Sequence, residues 1–104
     1  MPEFATIVRD NAEKSRYEVF VDGQPAGFAA YRVAPGRVVF VHTEIDPSFA
    51  GRGVGSALVS GALEDVRRQD KLVTARCPFV AAYVRAHAEY GDLVEDRPGG
   101  QVGP

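Results

Sequence analysis

The segment FVHTEIDPSFAGRGVGSALVSGALEDV, Phe40 to Val66, sets Gly51, Gly53 and Gly55 together with Arg52 between a run of strand character and a run of helix character. A helix start leaves its first amide N–H groups without intrahelical partners and carries about half a positive charge from the aligned peptide dipoles. Glycines at 53 and 55 let a ligand approach that backbone without meeting a Cβ, and Arg52 adds a fixed positive charge beside it. The chemistry on offer is the seating of a phosphorylated anion. Upstream, His42 and Glu44 fall on one side of a strand, where an imidazole and a carboxylate can pass a proton between them. Downstream, Cys77 directly precedes Pro78, a residue suited to the first helical position, and the electropositive start of a helix activates thiols in general. Each feature also has a plainer reading: a turn that only caps a helix, a polar pair on an exposed strand, a small buried hydrophobe.

The elements that must position these groups can be read from periodicity. Phe4–Arg9 and Tyr17–Asp22 alternate as strands, with the polar stretch Asp10–Arg16 as their connection. A third strand, Gly27–Val33, and a fourth, Val38–Ile45, flank the turn residues APGR, and the four strands are expected to form an antiparallel meander. On the fourth, strict alternation puts Val39, Val41, Thr43 and Ile45 on one face and Val38, Phe40, His42 and Glu44 on the other. From Val54 the period changes: Val54, Leu58, Ala62 and Val66, flanked by Val59 and Leu63, make the apolar stripe of an amphipathic helix of roughly four turns. Gly61 inside it disfavours the helix by about 1 kcal/mol relative to Ala, which points to close packing on the sheet. Leu72–Arg76 is a fifth strand, expected parallel to the fourth after a helical crossover. A second helix runs from Pro78 through Tyr90 to a stop at Gly91, its first half apolar nearly all round, as in a buried helix. The expected class is α/β (α+β), a mixed sheet of about five strands with two main helices, in one domain over residues 1–96, followed by a flexible tail over 97–104.

Composition sets the limits. At 104 residues, with 45% apolar and 25% charged, the chain fits one compact domain. A formal charge of −2 with scattered Lys and Arg argues against wrapping nucleic acid, and any bound anion is expected to be small. One cysteine makes no internal disulfide, and no apolar run approaches a membrane span. The reading is cytoplasmic, with no metal site and no membrane or nucleic-acid partner; monomer and homodimer both stay open.

Two familiar phosphate loops fail on spelling. The dinucleotide fingerprint breaks at Ser56, and the Gly-Lys-Ser/Thr ending of the nucleotide P-loop is absent. RGVGSA, Arg52 to Ala57, instead resembles the Arg/Gln-x-x-Gly-x-Gly/Ala signature of the GNAT superfamily of acyl-CoA-dependent N-acyltransferases. The length, VHT at Val41–Thr43, PSFAGRGVG and CPF before an apolar helix are similar to the small, roughly hundred-residue acetyltransferases of that superfamily. The resemblance covers about Tyr17 to Val94. It implies that acetyl-CoA or coenzyme A binds with its pyrophosphate on the backbone amides of Gly53, Val54, Gly55, Ser56 and Ala57, with Arg52 adding a fixed positive charge beside them. The pantetheine arm would pair with the backbone near His42, Thr43, Glu44 and Ile45, between the splayed fourth and fifth strands, and the thioester would end near Cys77.

The resemblance further implies an N-acetyltransferase acting on a small-molecule or lysine amine. Glu44 or His42 would relay the proton from the ammonium, Cys77 would be acylated or stand beside a direct attack, and Tyr83 would protonate the thiolate. Larger members insert two helices between their first and second strands, whereas only Asp10–Arg16 fills that place here. The acceptor side is therefore open, completed by a second subunit, or absent, which keeps a non-catalytic acyl-CoA-binding module and a small interaction domain as alternatives.

Overall fold

In the computed structural model, which describes residues 5–94, β1 (Thr6–Asn11), β2 (Arg16–Val21), β3 (Gln24–Ala34) and β4 (Arg37–Ile45) form an antiparallel meander. The helix α1 (Val54–Arg68) then crosses to β5 (Leu72–Ala75), which pairs parallel to β4, so the strand order is sequential across five strands. The helix α2 (Pro78–Ala86) follows, and a 3-10 segment at Ala88–Leu93 brings Val94 to a bridge with Val73 of β5. The α+β class, the antiparallel meander and the parallel β4–α1–β5 unit match the expectation from sequence. Phe4 and the expected tail over 97–104 lie outside the described residues.

Alternation decides which face of the sheet is covered. Tyr17, Val19 and Val21 of β2 are buried, while Arg16, Glu18 and Phe20 point the other way. On α1 the whole expected stripe, Val54, Leu58, Val59, Ala62, Leu63 and Val66, is buried. It meets Val19, Phe40 and Val73 of the sheet and Val80 of α2 in one core. Both helices therefore lie on a single face. The Tyr17 hydroxyl donates to Asp65 of α1 at 2.6 Å. Burial first, and then the Asp65 carboxylate, push this phenol far above its ordinary range, so it remains a donor that ties β2 to the helix.

Gly61 packs as its position suggested: a Cβ built there would lie 2.8 Å from Cβ of Val8. Gly61→Ala gains about 1 kcal/mol of helix propensity but overpacks a site where the neighbouring atom sits close to the backbone, at a cost of about 1–3 kcal/mol. We expect a net loss of about 1 kcal/mol in a urea melt. An unchanged or higher midpoint would mean that β1 yields freely.

Four details differ from the sequence reading. β1 and β2 extend toward each other, so their connection shrinks to the turn Ala12–Lys14 and Ser15, whose φ of 54° is left-handed. α2 ends at Ala86 rather than Tyr90, because the chain leaves helical geometry at His87 (φ −128°). That break lets the Tyr90 hydroxyl donate to Glu64 of α1 at 2.8 Å and buries Leu93. Only Val80 of α2 is fully buried, and Phe79 is 42% exposed, since the helix lies at the margin of the sheet beside α1. Finally, the register between β3 and β4 shifts between Ala30 and Tyr31, leaving Val41 as an extra residue on β4. A bulge reverses which face the following residues occupy. Val38 and Phe40 are buried with the helices, and after the bulge it is Thr43 and Ile45 that face them, while His42 and Glu44 are exposed on the bare face.

Candidate active site

The site forms where β4 and β5 part. Their pairing ends at Phe40 and Ala75, and the Phe40 carbonyl then accepts both the Arg76 and the Cys77 amides at 3.0 Å. This pair of hydrogen bonds to one oxygen turns the chain off the sheet and into α2. Beyond it, the Val41–Ile45 half of β4 has no partner strand on its β5 side among the described residues. Alternate backbone groups of an extended strand then face an opening in which an extended ligand can pair.

The start of α1 lies at one end of this opening. Asp46 caps the 3-10 turn Pro47–Phe49 by accepting from the Ser48 amide at 2.9 Å, and Gly51 and Gly53 follow with φ of 79° and 75°. Left-handed backbone favours glycine, and Gly53 in this conformation is the N-cap of α1. No side chain caps the helix and its first turn holds no acidic residue. A Cβ at Gly51 or Gly53 would meet nothing within 4 Å. An open, uncapped, carboxylate-free helix start suits a diphosphate.

Two of the expected contacts change. The Ala57 amide donates to the Gly53 carbonyl at 3.0 Å, so it closes the first helical turn and is not available to a ligand. Of the expected seat, the amides of Gly53, Val54, Gly55 and Ser56 precede this first helical bond. At Gly55 a Cβ would lie 2.7 Å from Cζ of Phe79, so the bare Cα faces this ring rather than open space. Arg52 is near, its guanidinium carbon 5.7 Å from the Phe49 ring centroid.

The reactive candidates divide between the two faces of β4. On the bare face, His42 Nε2 and Glu44 Oε2 lie 2.9 Å apart, with both side chains more than half exposed (57% and 62%). On the helix face, Thr43 Oγ1 and Cys77 Sγ are 3.2 Å apart, and Cys77 is buried. His42 and Glu44 are therefore in contact as expected, but not against the thiol. Tyr83 stacks on His87 with ring centroids 3.9 Å apart, and the His87 ring is held by a 2.8 Å contact from Nδ1 to the Tyr83 carbonyl. Its hydroxyl has no hydrogen-bond partner among the described residues. Sequence reasoning did not anticipate Thr43 as the neighbour of Cys77, because the bulge that turns it toward the helices has no signature in an unbroken apolar run.

A family model described as GCN5-related N-acetyl-transferase matches residues 16–93. The chain belongs to the GCN5-related N-acetyltransferase family. A solved structure of Ard1 from Thermoplasma volcanium is similar at 28% identity with a TM-score of 0.54, covering 76% of this chain and 55% of that one. The chain thus spans about half the length of that structure's chain. A search of curated proteins gave no match. Between β1 and β2 there is only the turn Ala12–Lys14 and Ser15, and among the described residues no helix covers the sheet face that carries Glu18, His42 and Glu44. Among the described residues, no helix is long and apolar enough to cross a membrane, and no group of His, Cys, Asp and Glu is arranged to hold a metal ion.

Proposed function

We propose that this GCN5-related chain transfers an acetyl group from acetyl-CoA to a primary amine in the cytoplasm. The observation that carries this reading is that the uncapped start of α1 and the Val41–Ile45 edge of β4, unpaired on its β5 side, stand at the same parting of the sheet, with Thr43 against Cys77 beneath it. Bound acetyl-CoA would supply the acetyl group as an activated thioester. The amides of Gly53 to Ser56 hold the diphosphate, with Arg52 adding charge, and the β4 edge from His42 to Ile45 pairs with the extended arm.

The acceptor amine enters from the bare face, where Glu44 and His42 take the proton it must lose before attack. Transfer is direct. A nucleophilic thiol needs a base, and the only histidine–carboxylate pair among the described residues faces away from buried Cys77. Cys77 and Thr43 instead line the inner end of the cleft, and the Tyr83 hydroxyl supplies the proton for the departing thiolate.

Thermal melts with acetyl-CoA and with CoA, together with a thiol-release assay over a panel of amines, test the proposal. We expect both ligands to raise the midpoint, release to depend on amine, and intact-mass spectra to show unmodified Cys77. No shift at millimolar ligand would sink the transferase reading, and a stable added acetyl lost in Cys77→Ala would replace direct transfer by an acyl-enzyme.

A further inference from the structure

The bare face of the sheet is neither flat nor neutral. Register places Glu18, Phe28 and Glu44 in one row across β2, β3 and β4. Neighbouring strands lie about 4.8 Å apart, so the two carboxylates flank the aromatic ring at about twice that separation. With Phe20, Asp46 and Arg16 they line a shallow hollow of about 400 Å³. Glu44 belongs both to this hollow and to the proton-relay pair, so the hollow opens beside the place where an amine would react.

Three carboxylates share the lining with the Arg16 guanidinium, and at the rim Arg9, opposite Glu18 on β1, holds its guanidinium carbon 5.7 Å from the Phe20 ring centroid. Arg16 is already engaged: its Nε lies 2.8 Å from Glu18 Oε2, and its guanidinium carbon stands 4.6 Å from the Phe28 ring centroid. Glu18 Oε2 also accepts from Asn11, Glu44 Oε2 from His42, and Asp46 Oδ1 from Ser48. The other carboxylate oxygen of each side chain has no hydrogen-bond partner among the described residues. The Arg16 hydrogen bond holds the Glu18 carboxyl below its ordinary range, and the Ser48 hydroxyl and amide do the same for Asp46. An anion is repelled here. A cation on an apolar stem finds unused acceptors above aromatic ground.

We infer that the hollow bounded by Glu18, Phe28, Glu44 and Asp46 is the acceptor site, and that it selects an aliphatic primary amine carrying a second positive charge. The reacting nitrogen lies at Glu44 and His42, the methylene stem crosses the hollow beside Phe28 and the Arg16 guanidinium that covers it, and the distal cation lies at the open carboxylate oxygens of Glu18 and Asp46. This inference rests on the transferase reading, but it makes a claim about binding that is read separately. The same chemistry occurs in free diamines and in paired basic residues of a peptide, and the assay distinguishes them.

The test titrates 1,4-diaminobutane, butylamine and a short Lys-Lys peptide into the CoA-loaded protein at low salt. The diamine is expected to bind at least about tenfold more tightly than butylamine. The preference should fall to about threefold or less in Asp46→Asn, which keeps the cap on Ser48 while removing the charge, and should weaken with added salt. Glu18→Gln should act in the same direction, and CoA-induced melting shifts in both variants check the fold. If the peptide outbinds the diamine with the same dependence on Asp46, the distal cation belongs to a protein acceptor and the site stands. Equal affinity for diamine and butylamine, with CoA binding intact, overturns the inference and leaves the transferase reading untouched. Absence of CoA binding in the wild-type chain overturns that reading and the inference with it.

Discussion

Glu44→Gln is expected to lower kcat/KM for amine acetylation at pH 7 by about a hundredfold or more, while CoA affinity stays within about twofold. Gln keeps a hydrogen bond to His42 but cannot take a proton. Both side chains are more than half exposed, so neither the fold nor the cleft should respond. The diagnostic readout is the pH profile. As pH approaches the amine's own pKa, about 10.4 for a lysine-like nitrogen, solvent removes the proton and the deficit of the variant should shrink. A merely structural role would leave the deficit constant with pH. Equal rates at pH 7 would make the His42–Glu44 pair a surface contact without a part in transfer.

Gly55→Val is expected to weaken CoA binding by at least about tenfold, roughly 1.4 kcal/mol or more. The reason is more involved than bulk at the anion seat, because the new Cβ first meets the Phe79 ring at 2.7 Å. Displacing the ring will itself lower stability. The second change therefore decides the interpretation: Gly55→Val combined with Phe79→Ala removes the clash and should recover the melting midpoint without recovering CoA affinity. If affinity in the double variant returned to within a factor of two of wild type, the bare Cα of Gly55 would serve the packing of Phe79 and not the diphosphate.

The strands, the crossover and the buried stripe of α1 were legible because each rests on a local period repeated over several residues. Val54, Leu58, Ala62 and Val66 could face the sheet in only one way. Gly61 was legible as a point of close approach because a glycine inside a strong helix calls for a reason, and Val8 is that reason. The site was legible only in part. The glycine loop identifies an uncapped helix start, yet which amides stay open depends on where the first helical bond closes, and sequence does not show that Ala57 is taken by Gly53.

The faces of β4 were misread for a sharper reason. Val38, Val39, Phe40 and Val41 are all apolar, so an extra residue among them leaves no mark in the hydrophobic pattern. Only pairing with β3 shows where counting must restart. The end of α2 was hidden in a similar way, since nothing in RAHAEYG says that the helix will break at His87 and let Tyr90 reach across to Glu64.

That one unpaired residue on β4 also bears on the order of events. With Thr43 and Cys77 turned to one side and His42 and Glu44 to the other, acyl donor and nucleophile would arrive from opposite directions and meet in the opening beside the unpaired edge of β4. Neither would have to leave before the other entered, and such a geometry favours a ternary complex over a ping-pong cycle.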